Sequence, residues 1–318
     1  MEKNKYDFLI VYNTCGIRSD QTAQYIRSLQ SIRASKTDFK FKLVMSSCLN
    51  QQPCRQVINE IFADDVSIIP IDHPYTVNIT YNISCQLMIN EYGAFKGYLY
   101  IDSGVDFLDN EDALDKLFSS FIDNNYGILS AQVNEDHGLH HSKGGSFPIV
   151  DVNYIMPLGG SVNGHVDLFS HDIYERYEKV WPDVFKAHCT ESTFSFIAAS
   201  VNKKQAVLKD VILTHRVAVD GASLSSPRWS PENGNTWNNL LFNRDVNDFI
   251  NDSKAIKSGL GYEECQSIMM HSSEAYDNNQ QSLYPEELAN CIEKYFYTTS
   301  DEINYKQICL DMQQVKTI

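Results

Sequence analysis

No apolar run of membrane-spanning length occurs in these 318 residues, so no membrane-crossing helix is expected. The eight cysteines (Cys15, Cys48, Cys54, Cys85, Cys189, Cys265, Cys291, Cys309) are scattered and form no C-x-x-C pair. The opening segment "MEKNKYDFLIVYNTCG" has an apolar stretch too short for a secretory signal and reads as a strand. The expectation is therefore a cytoplasmic protein with reduced thiols, without a disulfide framework or a zinc site. The sequons at Asn78, Asn82 and Asn251 are then expected to stay unmodified. Basic residues are also scarce, 26 against 41 acidic ones, for a formal net charge of −15. Nucleic-acid affinity comes largely from Lys and Arg neutralising phosphates, so nucleic acid is not an expected partner. An acidic protein can still hold a phosphorylated small molecule where a cation or backbone N–H groups offset the local charge. There is no internal repeat.

What is present is a regular alternation. "YDFLIVY" (Tyr6–Tyr12) is a bounded apolar run, a strand, and Ile26, Leu29 and Ile32 follow at helical spacing. "FKFKLVMSS" reads as a strand. "QQPCRQVINEIF" follows as a helix whose Val57, Ile58, Ile61 and Phe62 share one face, with Pro53 suited to its first turn. "VSIIPI", "NITYNISCQLMINEYG" and "GYLYI" continue as strand, helix and strand. "EDALDKLFSSFIDNN" carries a helical stripe of Leu114, Leu117, Phe118, Phe121 and Ile122, and "YGILSAQV" is a further strand. Strands alternating with helices at this spacing imply βαβ units, a mainly parallel sheet and helices on both faces. This part is expected to span residues 1–135.

Beyond it lies a Gly-, His-, Asn- and Ser-rich stretch too long for an ordinary connection, of a kind that is usually functional or mobile. "VDLFS" is a strand, "HDIYERYEKVW" and "CTESTFSFIAASVNKK" are helices, and "DVILTH" is a last strand ending on His215. Residues 136–224 are expected to complete one domain, 1–224. Residues 225–318 read as a loop and a helical C-terminal region with "EELANCIEKYF" as its clearest helix.

The informative stretch is Tyr98–Phe107, "YLYIDSGVDF". A buried strand carries no charge until it leaves the sheet, so Asp102 should sit at its carboxyl edge, where open α/β sheets place ligands. With the preceding strand order, this segment resembles the apolar-strand, Asp-x-Asp, Val pattern of GT-A (Rossmann-like) nucleotide-sugar glycosyltransferases. Asp102 takes the first aspartate and Val105 the following apolar position, while Gly104 stands where the family has its second aspartate. The resemblance covers about residues 5–220 and implies that 1–135 is a nucleotide-binding part and 136–224 an acceptor and catalytic part. The Asn-, Ile- and Tyr-rich composition with a degenerate acidic motif also faintly resembles glycosyltransferases encoded by large viruses.

The resemblance implies sugar transfer from a nucleoside diphosphate sugar, with UDP or GDP as the base carrier, to a glycan or other hydroxyl acceptor. A divalent cation, Mn²⁺ or Mg²⁺, would neutralise the diphosphate leaving group. Asp102 and His215 are implied as its ligands, His215 in "LTHRVAVDGAS" corresponding to the family's late-strand histidine. With Gly104 in the motif, either Asp102 does the metal work with help from elsewhere, or, as the weaker alternative, Asp106 swings in, or the enzyme acts without metal. Glu191, opening the helix in "HCTESTFSF", is the implied base that deprotonates the acceptor, ranked ahead of Asp167. A first-turn acid is equally what a helix dipole favours.

Tyr12, Asn13 and Thr14 at the first strand's end, Asn82 on the third helix, and Ser103 are implied nucleotide contacts. So are Gly160 and Asn163 in "MPLGGSVNGHVDLF", where Gly159 allows close backbone approach and His165 is a candidate partner for hydroxyls. His137, His140 and His141 read as part of a solvated loop or acceptor lid, and Trp181, Trp229 and Trp237 as packing or sugar-stacking residues. Two other readings stay open from sequence: a catalytically silent carbohydrate- or nucleotide-sugar-binding protein on the same fold, and a sugar-1-phosphate nucleotidyltransferase. "NTCGIRSD" lacks the Gly-rich basic loop that the latter needs after its first strand.

Overall fold

The apolar runs fold as buried strands because a strand covered on both faces has no side free for polar side chains. In the computed structural model, which describes residues 5–14, 22–48, 52–71, 77–135, 154–155, 165–182, 193–215, 285–297 and 307, all of Phe8–Thr14 (β1) is buried. It is followed by Thr22–Ala34 (α1), Phe41–Cys48 (β2), Gln52–Phe62 (α2), Val66–Ile71 (β3), Val77–Tyr92 (α3) and Gly97–Asp102 (β4). Then come Val105–Asp106 (β5), Ala113–Asp123 (α4), Ile128–Glu135 (β6), Tyr154–Ile155 (β7), Val166–Ser170 (β8), His171–Tyr177 (α5) and Phe194–Ser200 (α6). Gln205–His215 (β9) and Pro285–Phe296 (α7) complete the described elements.

The strands form one nine-stranded mixed sheet in the order β3-β2-β1-β4-β8-β6-β9-β5, with β7 paired to β9. β1 pairs in parallel with β2 and β4, and β2 with β3, which is the expected βαβ half. β8 runs antiparallel between β4 and β6, and β9 returns parallel to β6. Alternation divides the strands between two cores. Leu9, Val11, Tyr98, Tyr100 and Phe169 face α3, α5, α6 and α7; Phe8, Ile10, Leu99, Ile101 and Leu168 face α1, α2 and α4. The fold is thus the expected α/β sheet with helices on both faces.

Some faces are narrower than their spacing suggests. Ile58 and Phe62 of α2 are buried, whereas Val57 and Ile61 are 39% and 46% exposed. In α4, Ile122 is likewise at the surface while Leu114, Leu117, Phe118 and Phe121 are buried.

Two features bring distant strands to one edge. Only Ser103 and Gly104 separate β4 from β5, yet β5 pairs with the end of β9, Val105 opposite His215. With consecutive Cα atoms about 3.8 Å apart, Val105 lies within about 11 Å of Asp102, and its pairing with His215 draws the end of β9 to the same edge. The sheet therefore curls. A register break between Ala131 and Gln132 of β6 leaves extra β9 residues unpaired, and the Gln132 amide donates to the Leu208 and Lys209 carbonyls at 3.1 and 2.9 Å. That side chain replaces lost ladder bonds and re-aims the terminal part of β9.

The helix α7 packs on α6, burying Leu288 and Ile292 completely. The Tyr297 ring stacks on Tyr177 with centroids 4.2 Å apart, and its hydroxyl donates to the Val180 carbonyl at 3.0 Å. Arg176 adds bonds to Glu286 and Asn290 at 3.0 and 2.9 Å. Among the described residues, no helix is long and apolar enough to cross a membrane.

Candidate functional site

Three strand ends meet at the carboxyl edge of the parallel strands. Asp102 closes β4; His165, directly before β8, faces it across the antiparallel pair, the Asp102 N–H donating to the His165 carbonyl at 2.8 Å. His215 closes β9 beside the Ser103–Gly104 turn. One ligand-capable atom from each of Asp102, His165 and His215 lies within 4.8 Å of the others. The His165 Nδ1 is 3.1 Å from Asp102 Oδ2, and the two imidazoles stack with centroids 4.7 Å apart and planes 26° from parallel. The Asp102 and His165 side chains are each 21% exposed, so the cluster opens to solvent on one side.

The electrostatics keep Asp102 ionised. Burial pushes its pKa up, but the hydrogen bond and charge of His165, the charge of His215 and the Ser103 N–H, 2.8 Å from Oδ1, hold it below the usual carboxylate range. His215 Nε2 lies 2.9 Å from the Ser103 carbonyl oxygen. A carbonyl only accepts, so Nε2 carries the proton and Nδ1 is the basic nitrogen. An imidazole held by a backbone carbonyl in this way is the usual arrangement of a metal-binding histidine. One carboxylate and two imidazoles fit a divalent cation.

The turn explains why the second motif position is not an acid. Gly104 has φ 94°, a region that favours glycine, and its N–H donates to the Tyr12 hydroxyl at 3.2 Å. Asp106 is buried on β5 and lies 3.5 Å from the Arg27 guanidinium of α1. It does not join the three-donor cluster.

The remaining sequence candidates fall in different places. Asn13 sits beside Asp102 in the β1–β4 register, its Oδ1 accepting the Ser46 and Thr80 hydroxyls. Thr14 is fully buried and donates to the Ser46 carbonyl at 3.1 Å. Tyr12 is fully buried with its ring in the opposite core against Tyr25, so its role here is to support the turn through Gly104. The Asn82 amide clamps the chain after α5, donating to the Trp181 carbonyl at 2.8 Å and accepting the Val180 and Trp181 N–H groups. Trp181 is a core residue, packed on Tyr100 at 4.5 Å. Ser103 is fully buried, and its hydroxyl has no partner among the described residues.

Asp167, two residues into β8, is 1% exposed and bonded by the Ser130 hydroxyl; burial pushes its pKa up to about 6. Glu191, Gly160 and Asn163 lie outside the described residues, as do Gly159, His137, His140, His141, Trp229 and Trp237. The residue that sequence reasoning placed differently is His165, a candidate for hydroxyl contacts that the structure sets against Asp102. The only signal was a histidine immediately before a strand, and it becomes informative once β8 is known to run antiparallel to β4.

No protein-family model matches the chain, and no curated protein matches it in sequence. Its fold does have solved counterparts. S. aureus TarS 1-349 superposes with a TM-score of 0.51 at 12% identity, covering 91% of each chain. The same TarS fragment in complex with UDP-GlcNAc gives 0.50 at 11% identity, again over 91% of each chain. At this identity the likeness speaks for architecture alone, and the chain carries a GT-A-like α/β fold.

Proposed function

We propose that this protein is a glycosyltransferase that moves a sugar from a nucleoside diphosphate sugar to a hydroxyl acceptor. The observation that carries the reading is the meeting of Asp102, His165 and His215 at the carboxyl edge of a GT-A-like sheet. UDP-GlcNAc in the TarS complex supports a uridine diphosphate sugar as the first donor to try. A divalent cation held by Asp102 and His215, when bound, would neutralise charge on the diphosphate leaving group. Such neutralisation matters more than usual in a chain of net charge −15, which otherwise repels an anionic donor.

The chain's own groups have separable tasks in this account. Asp102 supplies the carboxylate, and the Ser103 N–H and His165 hold it charged and oriented. The Ser103 carbonyl fixes the tautomer of His215. Asn13, next to Asp102 and oriented by two hydroxyls, is our candidate for contact with the nucleotide. Glu191 is our candidate base for the acceptor hydroxyl; Asp167 is enclosed behind Ser130 and is better suited to shaping the floor of the site.

Thermal melting of wild type and Asp102→Asn with UDP-, GDP- and dTDP-sugars, each with Mn²⁺ or EDTA, tests donor binding. We expect one base class to raise the wild-type melting temperature only with cation, and the variant to lose most of that rise. No stabilisation by any nucleotide sugar under either condition would contradict the proposal.

A further inference from the structure

The turn after β4 leaves the site one carboxylate short. At φ 94° the Gly104 backbone is costly for an aspartate, and the next acid, Asp106, is buried against Arg27. The place beside Asp102 is instead filled from β8. His165 is held opposite Asp102 by the 2.8 Å backbone bond of the antiparallel pair, and its Nδ1 lies 3.1 Å from Asp102 Oδ2. Two donor atoms at that separation can share one ion. His215 brings an imidazole nitrogen within 4.8 Å of the same donor atoms, and its Nε2–H meets the Ser103 carbonyl.

Resting on the reading that a divalent cation serves this site, we propose that His165 is a metal ligand standing in for the missing second carboxylate. The resulting Asp102–His165–His215 set takes a borderline transition ion, Mn²⁺, Co²⁺ or Zn²⁺, in preference to Mg²⁺. The reason is ligand chemistry. Mg²⁺ is a hard ion that keeps oxygen ligands and water, whereas imidazole nitrogen suits the first-row transition ions. Charge gives a second consequence. One carboxylate cancels one of the ion's two charges, so a bound cation keeps a net positive charge to offer an anionic ligand.

The test is Co²⁺ titration of the full chain, followed by visible absorption, with Mg²⁺ and then Mn²⁺ as competitors. No nucleotide sugar is present. Wild type should bind Co²⁺ and resist a hundredfold excess of Mg²⁺, while Mn²⁺ displaces it at far lower excess. His165→Ala should weaken Co²⁺ binding at least tenfold. His165→Asp, which restores a second carboxylate at that place, should bind and let Mg²⁺ compete at least tenfold better. Absence of Co²⁺ binding by wild type, or its displacement by equimolar Mg²⁺, overturns the proposal whatever the variants do. So does unchanged Co²⁺ affinity in both variants, with folding checked by melting. A chain that passes this test but binds no nucleotide sugar contradicts the glycosyltransferase reading alone; one that binds nucleotide sugar but fails here contradicts the metal site, and where wild type binds Co²⁺ and only the variants fail, the role of His165 alone.

Discussion

A backbone φ of 94° at Gly104 suits glycine and is costly to residues with a Cβ. Gly104→Asp, which completes an Asp-x-Asp in the sequence, should therefore lower stability by about 1–3 kcal/mol. It should also fail to tighten metal binding, because the new carboxylate enters on a strained turn whose N–H is tied to Tyr12. A thermal melt and a Co²⁺ titration of that variant check both halves. The same residue shows what could be read in advance. The edge positions of Asp102 and His215 were legible because each ends an apolar run, and a charged or imidazole side chain there has to lie at the sheet's edge. His165 was visible only as a polar residue ahead of a strand. Its partnership with Asp102 depends on the direction of β8, which apolar periodicity does not encode.

The element that delivers His215 is β9, and its course depends on the bulge that Gln132 fills. Gln132→Ala leaves the Leu208 and Lys209 carbonyls without that donor, at an expected cost of about 1–3 kcal/mol. If the bulge aims the end of β9, the variant should also bind Co²⁺ more weakly although it touches no ligand directly. Unfolding curves and a metal titration separate the two effects.

At the opposite end of the sheet, Asp7 ties three strands' approaches together. Its carboxylate accepts the Lys40 N–H at 3.0 Å and meets Lys96 at 2.8 Å. Partial burial pushes its pKa up, but the bonds from Lys96 and the Lys40 N–H prevail and leave it lowered. The folded state then binds this proton less readily than the unfolded chain does. The contribution is present above the ordinary carboxylate value and is lost as pH falls through the folded one. Asp7→Asn should cost at most about 1 kcal/mol at neutral pH and nothing in strong acid, a difference that denaturant curves at both pH values resolve.

Long elements of clear period were legible: β3 and β8 fall on the residues their apolar runs mark, and α4 keeps most of its stripe. The two-residue strands β5 and β7 were not, since two residues carry no period. They exist because β9 is long enough to pair beyond its neighbours, and β5 is the strand that closes the curl.

Across the whole molecule, the sheet separates two cores, and α7 belongs to one of them. Its residues Leu288 and Ile292 are as enclosed as those of the central strands. Ile292→Ala should accordingly destabilise the protein by about 2–5 kcal/mol, the range for emptying a packed aliphatic site, rather than merely loosening a C-terminal appendage. A single cooperative melt shifted downward supports that. An unshifted main transition contradicts it.

The charge of the molecule sets the terms for its ligand. On the proposed function, a chain of formal charge −15 with 26 basic residues needs a local positive centre to hold a diphosphate, and the edge carrying His165 and His215 is where we place it. The most direct measurement is release of free nucleoside diphosphate from UDP-, GDP- and dTDP-sugars by wild type and Asp102→Ala, with Mn²⁺ or EDTA and a panel of glycan acceptors. The account predicts release from one base class that requires the cation, rises with a suitable acceptor, and falls at least a hundredfold in the variant. Release that is equal in wild type and Asp102→Ala, or unchanged by EDTA, would contradict it.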